Sequence, residues 1–508
     1  MNSSIVNEQN PIKKKSLKSN FIFNFISQIL ALIIPLATSP YLARVLGVEI
    51  TGQISFSTSI ITYFTLASNF GFTTYGQREI AKWQDDKEKR SEVYWEIFLI
   101  RTLFTIVSLG VLLGIIFANV FDEKYKTFLL IQTITVFACC VDPSFYYQGM
   151  EEFKLIAIRT IVVRVIGLIL IFSFVKTKDD AWIYVLFNSG ATLLSNLAMW
   201  PLIFKQTKMV KIKNLHIWRH FVPALLIFLP NLAVTIYSVL DKTMIGLIAV
   251  NPDYENGCYE KAYQLNSIML LVVTLVSSVM IPRNAHDYAV GDTKSLNEHI
   301  KFSFDYTWLT GLPLIIGCSV LCYSLSSWFL GDGYEEVPIL LQIMSVRFIA
   351  AGIGVVVGDQ LFIAIGKEKY CTIATSIGAV FNFSLNFIFI KFWGATGAAI
   401  TTACTEVLVA TINICIALKK KYISFNAFIS GMPKKLISSV IMFVPLFFLN
   451  RVFEYSVWSF LLIMLVGIVT YALSLIVLKD EFFLSLLKRG IDMLKNLFKK
   501  KEETKIEN

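Results

Sequence analysis

The stretch CCVDPSFYYQGMEEF, residues 139–153, sets an aspartate beside a proline near the polar end of an otherwise apolar run. A residue that precedes proline tends to leave helical geometry, so Asp142 beside Pro143 reads either as a hinge or cap, where the helix would break, or as a coupling or gating group. Fifteen residues cannot say whether that break lies in a soluble core or in a bilayer. The surrounding chain decides.

Of the 508 residues, 55% are hydrophobic and only 16% are charged, against about 25% charged in a soluble domain. Mean hydropathy is +0.63. Apolar runs long enough to cross a bilayer as helices, about 20 residues each, recur along the whole length. The reading is an all-α polytopic membrane protein of about 14 transmembrane helices. The spans fall near 19–40, 52–72, 93–118, 127–147, 155–175, 181–204, 221–247, 259–281, 302–328, 337–365, 372–390, 395–418, 436–450 and 455–478. The first run follows Lys13, Lys14, Lys15 and Lys18 and has no small-residue cleavage end, so it is not a secretory signal.

An even span count puts both termini on one side, and the distribution of basic residues says which. Of the 46 Lys and Arg, 34 fall in the loops and tail on the side of the termini and 8 on the other side. By the positive-inside rule both termini are cytoplasmic. The net charge of +10 is therefore spread through short loops beside spans, where membrane lipids rather than nucleic acid are the partners. The tail from 479 to 508 sets Leu487, Ile491, Leu494 and Leu497 at helical spacing among lysines, which reads as an interfacial amphipathic helix. The eight cysteines form no CxxC or Cys/His group, so neither a metal nor a disulfide is implied. No cofactor is expected, and the lack of a glycine-rich phosphate loop removes an ATP-driven pump. His216, His220, His286 and His299 sit in short loops with no carboxylate or cysteine constellation, so an enzyme is not expected.

The halves of the chain repeat. Gly52 of GQISFSTSI and Gly257 of GCYEKAYQL each open an even-numbered span, and Arg78 and Arg283 follow each by 26 residues. Pro35 and Pro230 interrupt spans one and seven. Asp142 precedes Gly149 by seven residues and Asp359 precedes Gly366 by seven, with Phe145 and Phe362 between them. Two six-helix bundles follow, related by a pseudo-two-fold along the membrane normal because six is even. The expected organisation is a basic N-terminus (1–18), an N-terminal bundle (19–204), a linker (205–220), a C-terminal bundle (221–418), a linker with two additional helices (419–478), and the tail.

Arg101, Arg164, Arg347, Asp142, Asp359 and Glu406 lie in or near spans. Each costs roughly 2.5–3.5 kcal/mol at mid-helix on insertion scales, so six of them facing lipid would exceed the net stability of a typical domain, about 5–15 kcal/mol. They must pair with one another or face water. Arg101 either snorkels to the interface or joins a cavity. Asp142 and Asp359 are either caps and hinges or coupling groups. Glu406, among small residues in TTACTEVLVATI, is either an interhelical hydrogen-bond partner or a cation site.

YLARVLGVEITGQISFSTSI (41–60), LDKTMIG (240–246) and YYQGMEEFKLIAIRT (146–160) resemble the polysaccharide-export flippases of the multidrug/oligosaccharidyl-lipid/polysaccharide exporter superfamily. The resemblance implies two bundles in a V, alternating access, and an undecaprenyl-pyrophosphate-linked oligosaccharide repeat unit as cargo. That unit would feed O-antigen, capsule or exopolysaccharide assembly, with a polysaccharide polymerase and chain-length regulator as further partners, at a bacterial cytoplasmic membrane. By charge and depth, Arg164 and Arg347 would meet the phosphates or acidic sugars, Arg44 and Lys242 would lie nearer the outer mouth, and Arg101 completes the set. Asp142, Asp359 and Glu406 would couple transport to a proton or sodium ion. The alternative is a cation-coupled multidrug or metabolite antiporter on the same scaffold.

Overall fold

The protein is represented by a computed structural model that describes residues 17–211, 213 and 215–492. The basic residues 1–16, the tail residues 493–508, and the side chains of Pro35 and Pro230 lie outside the described residues. The described chain is helical throughout. In order come α1 (Leu17–Asn69), α2 (Phe72–Lys82), α3 (Lys87–Phe117), α4 (Glu123–Cys140), α5 (Ser144–Gly149), α6 (Phe153–Phe174), α7 (Ala181–Leu197) and α8 (Trp200–Gln206). There follow α9 (Phe221–Ile248), α10 (Pro252–Thr274), α11 (Ser277–Ala289), α12 (Thr293–Leu330), α13 (Val337–Met344) and α14 (Arg347–Val357). A π-helix (Gly358–Ile363), α15 (Lys369–Lys419), α16 (Phe425–Ile429), α17 (Met432–Val452) and α18 (Val457–Val477) complete the order, before a further helix over 481–492.

Among the described residues, nine helical stretches are long and apolar enough to cross a membrane. This is an all-helical, multi-pass membrane protein. Fourteen spans were expected where nine such stretches stand, and part of the difference lies in merged helices. The 51-residue α15 would measure about 77 Å if straight, more than twice a hydrocarbon core. It breaks at Gly394, whose φ of 52° and ψ of −130° no helix contains. The 53-residue α1 breaks likewise at Gly47, φ 75°.

The chain forms two compact units: residues 1–39 with 61–231, and 40–60 with 232–508. These boundaries depart from the bundle limits 19–204 and 221–418. Residues 40–60 join the second unit because the matched glycines bury into each other's helices there. A Cβ on Gly52 would stand 1.7 Å from the Asp253 carbonyl oxygen, and one on Gly257 would stand 2.1 Å from that of Val48. Positions 48 and 52 thus exchange contacts with 253 and 257, each 205 residues on, as a local two-fold requires. Gln53 Nε2 donates to Asp253 (3.0 Å) and Ser55 Oγ donates to Glu260 (3.0 Å) across the same crossing. Residues 221–231 stay with the first unit, where Phe70 stacks on Phe221 and Phe228 at 5.4 and 4.5 Å.

The second sequence match is less regular. Both segments close with the same C-terminal motif. The amide of Glu152 bonds Tyr147 O and that of Lys367 bonds Phe362 O, both at 2.7 Å, with Glu151 (φ 56°) and Gly366 (φ 66°) left-handed. Gly366 is therefore the counterpart of Glu151, not of Gly149. Gly149 is glycine for another reason: a Cβ there would meet Ile80 at 2.7 Å where α5 crosses α2.

Candidate functional site

The Asp142-Pro143 pair does break its helix. α4 ends at Cys140, and the carbonyls left unpaired at that end are met by side chains of other helices. Asn196 Nδ2 donates to Ala138 O (2.9 Å), Trp200 Nε1 to Val141 O (2.8 Å), and Arg101 Nη2 to Cys140 O (3.1 Å) and to Asp142 O. Arg101 is 1% exposed and its guanidinium lies over the Phe145 ring at 5.1 Å. It therefore holds the break together, with neither the interfacial exposure of a snorkelling side chain nor a cavity-facing one. The Asp142 carboxylate accepts from the Ser144 amide (3.0 Å) and hydroxyl (2.5 Å) and lies 3.9 Å from Arg159. That is the geometry of a side-chain cap. Arg164 lies on α6, half-buried, with one guanidinium nitrogen buried and unpartnered.

In the second unit a polar stripe runs along α10 at helical spacing: Asn256, Tyr259 with Glu260, Tyr263 and Asn266. It gathers residues of five other helices: α1, α9, α13, α14 and α15. Arg347, the first residue of α14 after the break at Ser345 and Val346, donates from Nη1 to Asn266 Oδ1 (2.9 Å) and from Nε and Nη2 to Glu406 Oε1 (3.4 Å each). Its guanidinium lies 4.9 Å from the Tyr263 ring centre. Asn266 uses its amide nitrogen on Met344 O (3.0 Å), a carbonyl freed by that same break. Lys242 Nζ pairs with Glu260 at 2.5 Å and lies 5.2 Å from the Tyr263 ring. Both cations thus lie beside the Tyr263 ring.

One turn earlier, Tyr259 stacks on Tyr263 at 6.1 Å and its hydroxyl donates to Asp241. Asp241, 3% exposed, also receives Thr402 Oγ1 and Asn386 Nδ2, each at 2.5 Å. Asn382 Oδ1 accepts from Asn386 (3.1 Å), which leaves Asn386 Oδ1 buried and unpartnered. Among the described residues, the three donors to this carboxylate are neutral.

Of the expected residues, the structure brings Arg347 together with Glu406 as an ion pair and places Lys242 on the same stripe. Arg44 lies elsewhere in this unit, donating to Trp328 O with its stem against Gly331. Asp359 lies in the π-helix next to Gln360. Gln360 is tied to Ser277 (2.8 Å), Ser303 (2.6 Å) and Asn284 (2.9 Å), whereas Asp359 is half-buried beside it and outside this bonding. π-helical turns are frequent at functional sites. The sequence reading missed Asp241, Tyr259 and Thr402. The signals were the Asp-Lys pair of LDKTMIG and the one-turn spacing of Asn382 and Asn386.

Comparison with known proteins agrees with the fold. The family described as polysaccharide biosynthesis protein matches residues 17–286. The chain is 24% identical over 414 residues to a putative O-antigen transporter of Escherichia coli K12, covering 80% of this chain and 98% of that one. It is 26% identical over 167 residues to a probable low-salt glycan biosynthesis flippase, Agl15, of Haloferax volcanii, covering 33% of this chain and 35% of that one. A solved structure of the lipid II flippase MurJ in an inward closed conformation shares the fold with a TM-score of 0.70 at 17% identity, covering 93% of this chain and 99% of that one. A multidrug resistance MATE family transporter, inward-facing, shares it at 0.63 and 13%, covering 79% and 98%.

Proposed function

Because the chain belongs to the polysaccharide biosynthesis protein family, we propose that it is a flippase. It turns undecaprenyl-pyrophosphate-linked oligosaccharide repeat units from the inner to the outer leaflet of a bacterial cytoplasmic membrane. The work is transport and not covalent chemistry. Fourteen spans, two six-helix bundles about an axis along the membrane normal and two added helices, would alternate access, with both termini cytoplasmic. The paired exchange of contacts at Gly52 and Gly257 supports that symmetry.

The observation that carries the reading is the pairing of two opposite environments within one unit. The cargo is an anionic, hydroxyl-rich headgroup on a long isoprenoid tail. The α10 stripe sets Arg347 and Lys242 beside one tyrosine ring amid apolar helices, where cations suit a pyrophosphate. A cavity of about 350 Å³ between α10, α12, α17 and α18 is lined by Met269, Leu321, Leu325, Met442, Phe460 and Ile468, which suits a prenyl chain. Arg164, with an unpartnered buried nitrogen, is a separate phosphate contact within the first unit; Arg44 and Arg101 act by holding helix ends. Coupling to a proton or sodium ion falls to Asp241, ringed by oxygens and neutral donors, and to Asp359. Glu406 acts through Arg347, and Asp142 shapes the break beside it. A polymerase and a chain-length regulator would receive the product.

The test is genetic and chemical together. A strain lacking this protein should accumulate lipid-linked oligosaccharide on the inner leaflet, and plasmid-borne protein should restore surface polymer. Arg347→Ala should reach the membrane yet fail to restore it. Full restoration by Arg347→Ala would remove the stripe from the transport path.

A further inference from the structure

A second cavity, of about 810 Å³, opens in the second unit at the end of the helices remote from the 481–492 helix. By the charge distribution this is the outer face. It is framed by α12, α13, α17 and the 453–456 turn that joins α17 to α18. Two amides reach α12 there. Gln342 Nε2 donates to Ser319 O at 2.8 Å and Asn450 Nδ2 to Val320 O at 3.0 Å. Consecutive carbonyls of α12 thus hold both side chains by their amide nitrogens. Asn450 Oδ1 is buried without a partner. One turn along α12 from Ser319, Tyr323 exposes its ring and hydroxyl, 46% accessible. Arg451 lies over the Phe447 ring at 4.3 Å, and Glu454 and Tyr455 complete the rim.

From these groups we infer a saccharide-binding vestibule on the outer face, distinct from the α10 stripe, that holds the oligosaccharide of a unit that has crossed. A pyranose offers a C–H face to an aromatic ring and hydroxyls that both donate and accept. The site offers ring faces (Tyr323, Tyr455), acceptors (Asn450, Gln342, Glu454) and donors (Arg451, Tyr323). A buried acceptor left unmet is costly, and a ligand hydroxyl satisfies it. A phosphate group brings acceptors alone, so it would leave the Asn450 oxygen unmet and face the Glu454 carboxylate. Aromatic residues at span ends commonly anchor the interface, but an anchor does not require a buried amide oxygen left without a partner beside it. The inference rests on the reading that the cargo carries a glycan.

The test uses the full chain in nanodiscs. The probe is the lipid-free oligosaccharide released by mild acid from the host's own surface polysaccharide, observed by saturation-transfer NMR. Binding is expected with wild type. Tyr323→Ala and Arg451→Ala should each weaken it by about tenfold, whereas Tyr323→Phe should keep most of it because the ring remains. Both side chains are exposed, so folding is checked simply by an unchanged melting temperature. No binding to wild type, or binding unchanged in Tyr323→Ala and Arg451→Ala, would overturn the vestibule. So would a co-purified phospholipid that protects this site and that the oligosaccharide does not displace. Translocation in vesicles separates the two claims: transport without saccharide binding removes the vestibule and leaves the flippase, and binding without transport does the reverse.

Discussion

Substituting alanine for Gly257 tests whether the repeat is built into the packing. The added Cβ would stand 2.1 Å from the Val48 carbonyl oxygen and 2.8 Å from its Cγ2. The first of these is backbone and cannot rotate away. Restoring an ordinary contact of 3.4 Å requires the helices to part by about 1.3 Å. That separation carries the bonds Gln53–Asp253 and Ser55–Glu260, both 3.0 Å, out of range. Overpacking costs about 1–3 kcal/mol, and each interhelical hydrogen bond lost in a bilayer adds about 0.6 kcal/mol. The sum is about 2–4 kcal/mol. Alanine's better helix propensity returns up to about 1 kcal/mol, and the same gain applies at Gly110, where a Cβ meets nothing within 4 Å. Gly110→Ala is therefore the matched control. In thermal unfolding of purified protein followed by size-exclusion chromatography, Gly257→Ala should melt about 5 °C lower, and Gly110→Ala should melt at or slightly above wild type. Equal melting of the two variants would refute the close crossing.

Three further outcomes follow from the site. Arg347→Ala and Glu406→Ala should each lower surface polysaccharide, and the double variant should be no worse than the poorer single one, because removing either partner strands the other in an apolar unit; additive losses would show that the two act separately. Arg164→Ala should lower polymer without lowering the amount of protein in the membrane, and normal polymer would remove Arg164 from the path. Asp241→Asn should abolish the dependence of transport on a proton or sodium gradient, with Asp359→Asn weakening it, as measured by uptake into vesicles under imposed gradients. Gradient dependence unchanged in both variants would reject the coupling role.

Much of the scaffold was legible because the bilayer leaves few choices. Backbone groups in hydrocarbon must bond within their own segment, so long apolar runs become helices, and turns between them needed no finer signal. The glycine match at 52 and 257 was legible for a related reason: close helix crossings select residues without a Cβ. The match at 149 and 366 misled because glycine serves two purposes. Gly149 makes room for Ile80 and Gly366 turns the chain left-handed, and a letter does not say which. Charges in spans were expected either to pair or to face water, and for those that do pair the partners were not legible. Arg101 meets carbonyls exposed by a proline break 39 and 41 residues away in sequence. Arg347 and Glu406, given separate roles from depth alone, are held together across 59 residues. Asp241 escaped notice because it lies near a span end beside Lys242, where a charge raises no alarm. Its burial arises from Tyr259, Asn386 and Thr402, which arrive from other helices.

The most direct measurement of the central claim is translocation by the purified chain in sealed vesicles. Undecaprenyl-pyrophosphate-linked oligosaccharide is placed in one leaflet, and its headgroup is probed with a membrane-impermeant glycosidase. Headgroup should appear on the opposite face at a rate that scales with protein and collapses in Arg347→Ala. Appearance no faster than in protein-free vesicles, with folded protein present, would contradict the account.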